Sequence, residues 1–109
     1  MIAIICLIAL SLSRGSGGWS DAKNIDDIAL AILAPLKSAI EEEAEQLYST
    51  FEPISYITQV VAGINYKIKI KVSADDYIHV TIYVPLKHTQ SPPAITEVAK
   101  NMKLADPLI

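Results

Sequence analysis

Between Tyr66 and Val72 the chain alternates without a break, with Tyr66, Ile68, Ile70 and Val72 on one side and Lys67, Lys69 and Lys71 on the other. Such a period of two specifies a half-buried strand of an antiparallel sheet, because a one-residue slip would bury three ammonium groups. The run therefore predicts a sheet with one apolar face and one wet lysine face. The next run repeats the device: Ile78, Val80, Ile82 and Val84 alternate with Tyr77, His79, Thr81 and Tyr83, and Ser73-Ala74-Asp75-Asp76 between the two runs is turn chemistry. Pro85 closes that strand. From Phe51 onward Ile54, Tyr56, Thr58 and Val60 share a face, and beyond the polar stretch Lys87-His88-Thr89-Gln90-Ser91 and the pair Pro92-Pro93, Ala94 to Ala99 reads as a weaker final strand.

Before Phe51 the period is different. Ile25, Ile28, Ala29, Ile32, Leu36, Ala39 and Ile40 recur at three- and four-residue steps, which places them on one face of a helix. Asn24 or Asp26 can cap it, and Asp26 and Asp27 suit the positive end of its dipole. Pro35 removes one backbone hydrogen bond, so a bend near Ala31 is expected, with the helix continuing past it. Glu41, Glu42, Glu43 and Glu45 read as a solvated last turn. The simplest packing is an α+β domain: one amphipathic helix laid across an antiparallel sheet of about four to five strands.

The 109 residues make one domain, and 51% hydrophobic against 19% charged excludes a disordered chain. Nine basic against twelve acidic residues, a net charge of -3, argues against nucleic acid as a partner. Residues 2–12 are almost wholly apolar, too short to cross a bilayer that needs about 20 helical residues, but the right length for the core of a signal peptide. Small residues at Ser11 and Ser13 suit cleavage after Ser13; Ser13 and Gly15 would suit a cut after Gly15. The other reading of this stretch is a buried N-terminal helix. A leader over 1–13 implies secretion, leaves residues 14–109 as the mature domain with no membrane contact, and removes Cys6, the single cysteine.

Little in the mature chain suits catalysis. No cysteine nucleophile remains, the serines lack the strand–turn–helix setting of a nucleophile elbow, and His79 and His88 have no acidic partner at metal-ligand spacing. His79 reads as an ordinary exposed residue of the lysine face. The expectation is no enzyme, no metal and no cofactor.

Gly63 is the only glycine beyond residue 18, and it lies between two β-prone runs. Gln59-Val60-Val61-Ala62-Gly63 therefore reads in one of two ways. It is a hairpin whose apolar tip exposes Val60 and Val61 to a partner, or it is a continuous strand with a bulge at Gly63.

The string Gln59-Val60-Val61-Ala62-Gly63, followed by Asn65-Tyr66, resembles the signature hairpin of the cystatin superfamily of cysteine-peptidase inhibitors. Gly17-Gly18-Trp19-Ser20-Asp21-Ala22-Lys23 is similar to the amino-terminal trunk of the stefins, and Tyr77-Ile78-His79-Val80 and Leu86-Lys87-His88 resemble a strand and the second hairpin of the same subfamily. Order and spacing agree from about Gly17 to Pro93. The resemblance departs at Lys87, where the family carries proline, at Trp19, where an aliphatic residue is common, and at the leader, since stefins are usually intracellular.

The resemblance implies a cystatin-like fold and a reversible, noncovalent, competitive inhibitor of papain-like peptidases of the cathepsin class, bound one to one. Its binding residues would be Gly17, Gly18 and Trp19 of the trunk, Gln59, Val60, Val61, Ala62 and Gly63 of the first hairpin, and Leu86, Lys87 and His88 of the second. A non-inhibitory binding module of the same fold and a strand-swapped dimer are the alternatives. Intracellular residence is the alternative to secretion.

Overall fold

The helical segment begins where a carboxylate caps it. In the computed structural model, which describes residues 18–108, Asp26 has extended backbone angles and its Oδ1 accepts from the Ala29 amide at 3.0 Å. Of the two candidate caps, Asp26 is the one used. Helix α1 (Asp27–Leu33) passes through a 3-10 turn at Ala34–Leu36 into helix α2 (Lys37–Ala44). The bend expected near Ala31 is thus realised at Pro35 itself. The Ala34 amide still reaches the Leu30 carbonyl, and the chain tightens only around the ring that cannot donate. The leader expected over 1–13 and the trunk residue Gly17 lie outside the described residues.

Strands β1 (Lys23–Asn24), β2 (Glu52–Val61), β3 (Gly63–Lys71), β4 (Tyr77–Val84) and β5 (Ala94–Met102) form one antiparallel sheet in the order β1-β2-β3-β4-β5. The predicted α+β architecture holds, with a two-residue edge strand making the fifth. Strand β5 runs three residues beyond Ala99. The register sets Ile68 opposite Val80 and Ile70 opposite Ile78, so the apolar faces of both alternating runs meet the helices. Ala29, Leu33 and Ile40 from the helical side and Ile68, Ile70, Ile78, Val80 and Ile82 from the sheet form the buried core. Burial of one such aliphatic side chain contributes about 1.5–3 kcal/mol, which is why the period-two pattern fixes the register.

The acidic end of α2 departs from the sequence reading. Glu42, Glu43 and Glu45 are exposed, but Glu41 turns inward, and its Oε2 accepts from the Tyr48 amide at 2.8 Å and from Lys37 Nζ at 3.2 Å. Those two donors, the amide first, hold the Glu41 carboxyl below the usual carboxylate range. Glu41 therefore ties the loop after α2 to the helix rather than merely solvating its end.

The lysine face is also drier than its alternation suggests. Lys69 is 7% and His79 4% exposed, which corrects the expectation that both are solvated. For Lys69 the cause is the chain beyond β5, because its Nζ donates to the carbonyls of Leu104 and Asp106, folding that tail back over the sheet. Lys69 and His79 are direct partners across β3 and β4. Burial, then Lys69 and Lys67, push the His79 imidazole below its ordinary value, and its Nε2 has no protein partner among the described residues.

Candidate functional site

The register brings the three segments singled out in the sequence to one end of the sheet. Trp19 bridges to Gln59, Gln59 pairs with Asn65, Asn65 with Tyr83, and Tyr83 with Ala94. The start of the described chain, the β2–β3 turn and the β4–β5 loop therefore lie side by side, in that order. Of the two readings of Gly63, the hairpin is the one found, since Val60 pairs with Ile64 and Val61 with Gly63.

The turn keeps its shape without conventional turn residues at its tip. Gly63 has φ +122°, which L side chains rarely adopt, and a Cβ there would lie 2.6 Å from the Val84 carbonyl oxygen and 2.9 Å from the Tyr83 ring. Both constraints point to glycine. The Tyr83 hydroxyl donates to the Ala62 carbonyl, so β4 grips the turn from behind. At the base of the hairpin Asn65 Nδ2 donates to Gln59 Oε1 at 3.0 Å. With its backbone held in this way, the turn leaves Val60 58% and Val61 42% exposed. Ala62 is exposed beside them and Gly63 is buried beneath.

Beside the turn, the β4–β5 loop presents Leu86 at 45% exposure. A 3-10 turn at Lys87–Thr89 follows, with Lys87 and His88 exposed. The loop is stiffened from within, because the Leu86 carbonyl accepts both from the Thr89 amide at 3.1 Å and from the Thr89 hydroxyl at 2.7 Å. On the other flank the leading segment is tied down from Trp19 onward. The Ser20 amide donates to the Thr58 carbonyl at 2.8 Å, and the Thr58 amide donates back to Ser20 Oγ at 3.0 Å. The Trp19 ring is half-buried, with Lys67 Nζ 5.1 Å from its centroid. Gly18, just before it, is exposed.

This end of the molecule is apolar at its apex and polar on its flanks. Among the described residues no group of three or more His, Cys, Asp or Glu could hold a metal ion, and no helix is long and apolar enough to cross a membrane.

Residues 17–102 match the cystatin domain family. The chain belongs to that family. Among cystatins it is similar to Stefin-C of Bos taurus, 35% identical over 92 residues that make up 84% of this chain and 91% of that one. Cystatin-B of Bos taurus is 33% identical over 92 residues, 84% of this chain and 94% of the relative. A protein of Sus scrofa named leukocyte cysteine proteinase inhibitor 1 is 34% identical over 77 residues, 71% and 75% of the two chains. The resemblance read in Gln59–Gly63 is thus a family relationship, and it is to the stefin branch of the cystatins. Cystatins are inhibitors rather than enzymes.

Ser20, Asn65 and Tyr83 shape this end of the cystatin fold and were not among the sequence candidates. Asn65 and Ser20 both stood within the resembling strings, so their positions were available. Tyr83 acts on a backbone atom of another hairpin, which no local period marks.

Proposed function

We propose that this cystatin is a reversible, noncovalent, competitive inhibitor of papain-like cysteine peptidases of the cathepsin class, bound one to one. The observation that carries the reading is the alignment of three preformed segments at one end of the sheet, with Val60, Val61 and Leu86 exposed along it. The name of the Sus scrofa relative supports cysteine proteinases as the target class.

In this reading Gly17 and Gly18 let the backbone pass close to the catalytic centre, where a Cβ would collide, and the chain turns away before offering a scissile carbonyl. Val60 and Val61 bury apolar area, Ala62 and Gly63 keep the tip narrow, and Gln59 braces its base. Leu86 adds a second apolar contact, with Lys87 and His88 as its polar rim. Trp19 supplies an aromatic anchor beside the glycines. Full burial of one valine is worth about 1.5–3 kcal/mol, so nanomolar affinity, about -12 kcal/mol, requires all three segments together. A turn already braced by Tyr83 and Asn65 loses little conformational freedom on binding, which lowers the ordering cost.

Titration of papain with the purified chain tests the proposal. The expected result is competitive, reversible inhibition at one-to-one stoichiometry; papain left fully active by excess protein defeats it in favour of a non-inhibitory binding module. Gel filtration of the same sample reports whether a strand-swapped dimer forms. The leader proposed over 1–13, and with it secretion, is tested by mass spectrometry of culture medium: a chain starting between Arg14 and Gly17 is expected, and intact Met1 refutes it.

A further inference from the structure

We propose that Tyr83 is a positioning residue for inhibition: its hydroxyl holds the Val60–Gly63 turn in the shape that enters the active-site cleft of the target peptidase. The inference rests on the function proposed above and concerns a side chain that lies behind the contact surface rather than on it.

Three observations converge on this tyrosine. Its hydroxyl donates to the Ala62 carbonyl, the peptide group at the apex of the turn. Its ring lies where a side chain at residue 63 would otherwise go, with Cε1 and Oη each 2.9 Å from the ideal Cβ position. It pairs across the sheet with Asn65, whose amide braces Gln59 at the hairpin base. Tyr83 and Asn65 thus fix the apex and the base of one turn from one register position.

The need for such a strut follows from the sequence of the tip. Val60 and Val61 are β-branched and prefer extended backbone, and neither side chain can hydrogen-bond the turn as Asn, Asp or Ser would. A tip whose own residues supply no polar brace must be braced by another element. Tyr83 supplies it from β4, the strand that runs on through Val84 and Pro85 to Leu86. The same strand therefore carries the brace of the first hairpin and the entry to the second, and it holds the two apolar contact points at a fixed spacing.

Removal of one hydroxyl is the test. Tyr83→Phe keeps the ring against Gly63 and deletes only the donor. A neutral hydrogen bond of ordinary net strength predicts a three- to tenfold weaker inhibition constant for papain, expressed chiefly as faster dissociation. Amide hydrogen exchange on the free protein should quicken at Val61, Ala62 and Gly63 while Ile68 and Val80, in the core strands, keep their protection. Replacement of Tyr83 by 4-aminophenylalanine, which restores an N–H donor at the same point, should recover both. Inhibition by Tyr83→Phe equal to that of the unaltered protein overturns the proposal, as does exchange that rises throughout the sheet, which would make the tyrosine merely structural. Failure of the unaltered protein to inhibit papain would instead defeat the function on which the inference rests, and the exchange measurement would still report whether the hydroxyl holds the turn.

Discussion

The phenol of Tyr56 donates to Oδ2 of Asp26 at 2.6 Å, across thirty residues of sequence. The other oxygen of that carboxylate caps α1, so one side chain joins the helix start to the middle of β2. Tyr56, followed by the Ala29 amide, holds the Asp26 carboxyl below its ordinary 3.8, and Asp26 in turn pushes the phenol up to about 12. A depressed carboxyl stabilises the fold fully above the unfolded value and loses that contribution as pH falls through the folded one. A raised phenol contributes below its unfolded value of 10.0 and loses its share as pH rises through about 12. Tyr56→Phe keeps the stack on Tyr66, whose ring centroid is 5.9 Å away, and removes only the donor. The variant should melt below the unaltered protein at pH 7, and the gap should close toward pH 2. A gap that stays constant from pH 7 to pH 2 would assign the loss to packing.

Gly63→Ala meets two penalties at once, a positive φ and a contact 2.6 Å from the Val84 carbonyl oxygen. Backbone strain alone costs about 1–3 kcal/mol, and the oxygen belongs to the main chain and cannot swing aside. Urea unfolding should show a loss of about 2 kcal/mol or more. A loss under about 0.5 kcal/mol would mean that the turn relaxes freely and is not held from β4.

His79 provides a pH-dependent test of the buried lysine face. Lys69 and Lys67 face it with positive charge and Asp106 and Glu97 with negative charge, and burial is the main force lowering its affinity for a proton. The unfolded chain takes up that proton near pH 6.5 and the folded chain only at lower pH, so the unfolded state binds more protons in between. Stability should fall as pH drops from about 6.5. His79→Leu, which also removes the unpartnered Nε2, should flatten this part of the profile in urea titrations at pH 7.5 and 5; an unchanged slope would place its origin in other groups.

The fold was legible wherever one period decides burial. The alternation of Tyr66 to Val72 set the core face of β3 and Asp26 stood in capping position, whereas the bend fell at Pro35 itself rather than near Ala31, four residues back, where its missing hydrogen bond points. Burial of Lys69 was not legible, because its ammonium is held by the Leu104 and Asp106 carbonyls, 35 and 37 residues away in sequence, and alternation is blind to whatever folds back over a face. Glu41 was legible only in part: its pair with Lys37 is an i, i+4 contact that helical spacing offers, whereas its other partner, the Tyr48 amide, lies beyond the helix end. At the candidate site the apolar tip and the lone Gly63 were visible in the chain, whereas the brace from Tyr83 required the β3–β4 register.

Gly17→Glu combined with Gly18→Glu adds two side chains and two charges just ahead of the point where Trp19 and Ser20 fasten the segment to β2. Gly18 is exposed, so the fold should not register the change. Inhibition of papain should weaken at least tenfold, or about 1.4 kcal/mol, with an unchanged melting temperature. Equal inhibition constants for the two proteins would remove the glycines from the contact.

Val60→Asp with Val61→Asp separates contact from scaffold at the apex of the turn. At 58% and 42% exposure, neither valine belongs to the buried core, so the double variant should keep its circular dichroism spectrum and unfold within about 1 kcal/mol of the unaltered protein. In a complex both would be buried, each forfeiting about 1.5–3 kcal/mol of apolar contact, and each new carboxylate would be carried into a cleft without a partner. The inhibition constant for papain should rise at least a hundredfold, a larger effect than that of the glycine substitutions because two apolar contacts are lost and two unpartnered carboxylates are buried. A collapsed spectrum would show that the valines support the fold, and full inhibition by a folded double variant would move the point of contact away from the β2–β3 turn.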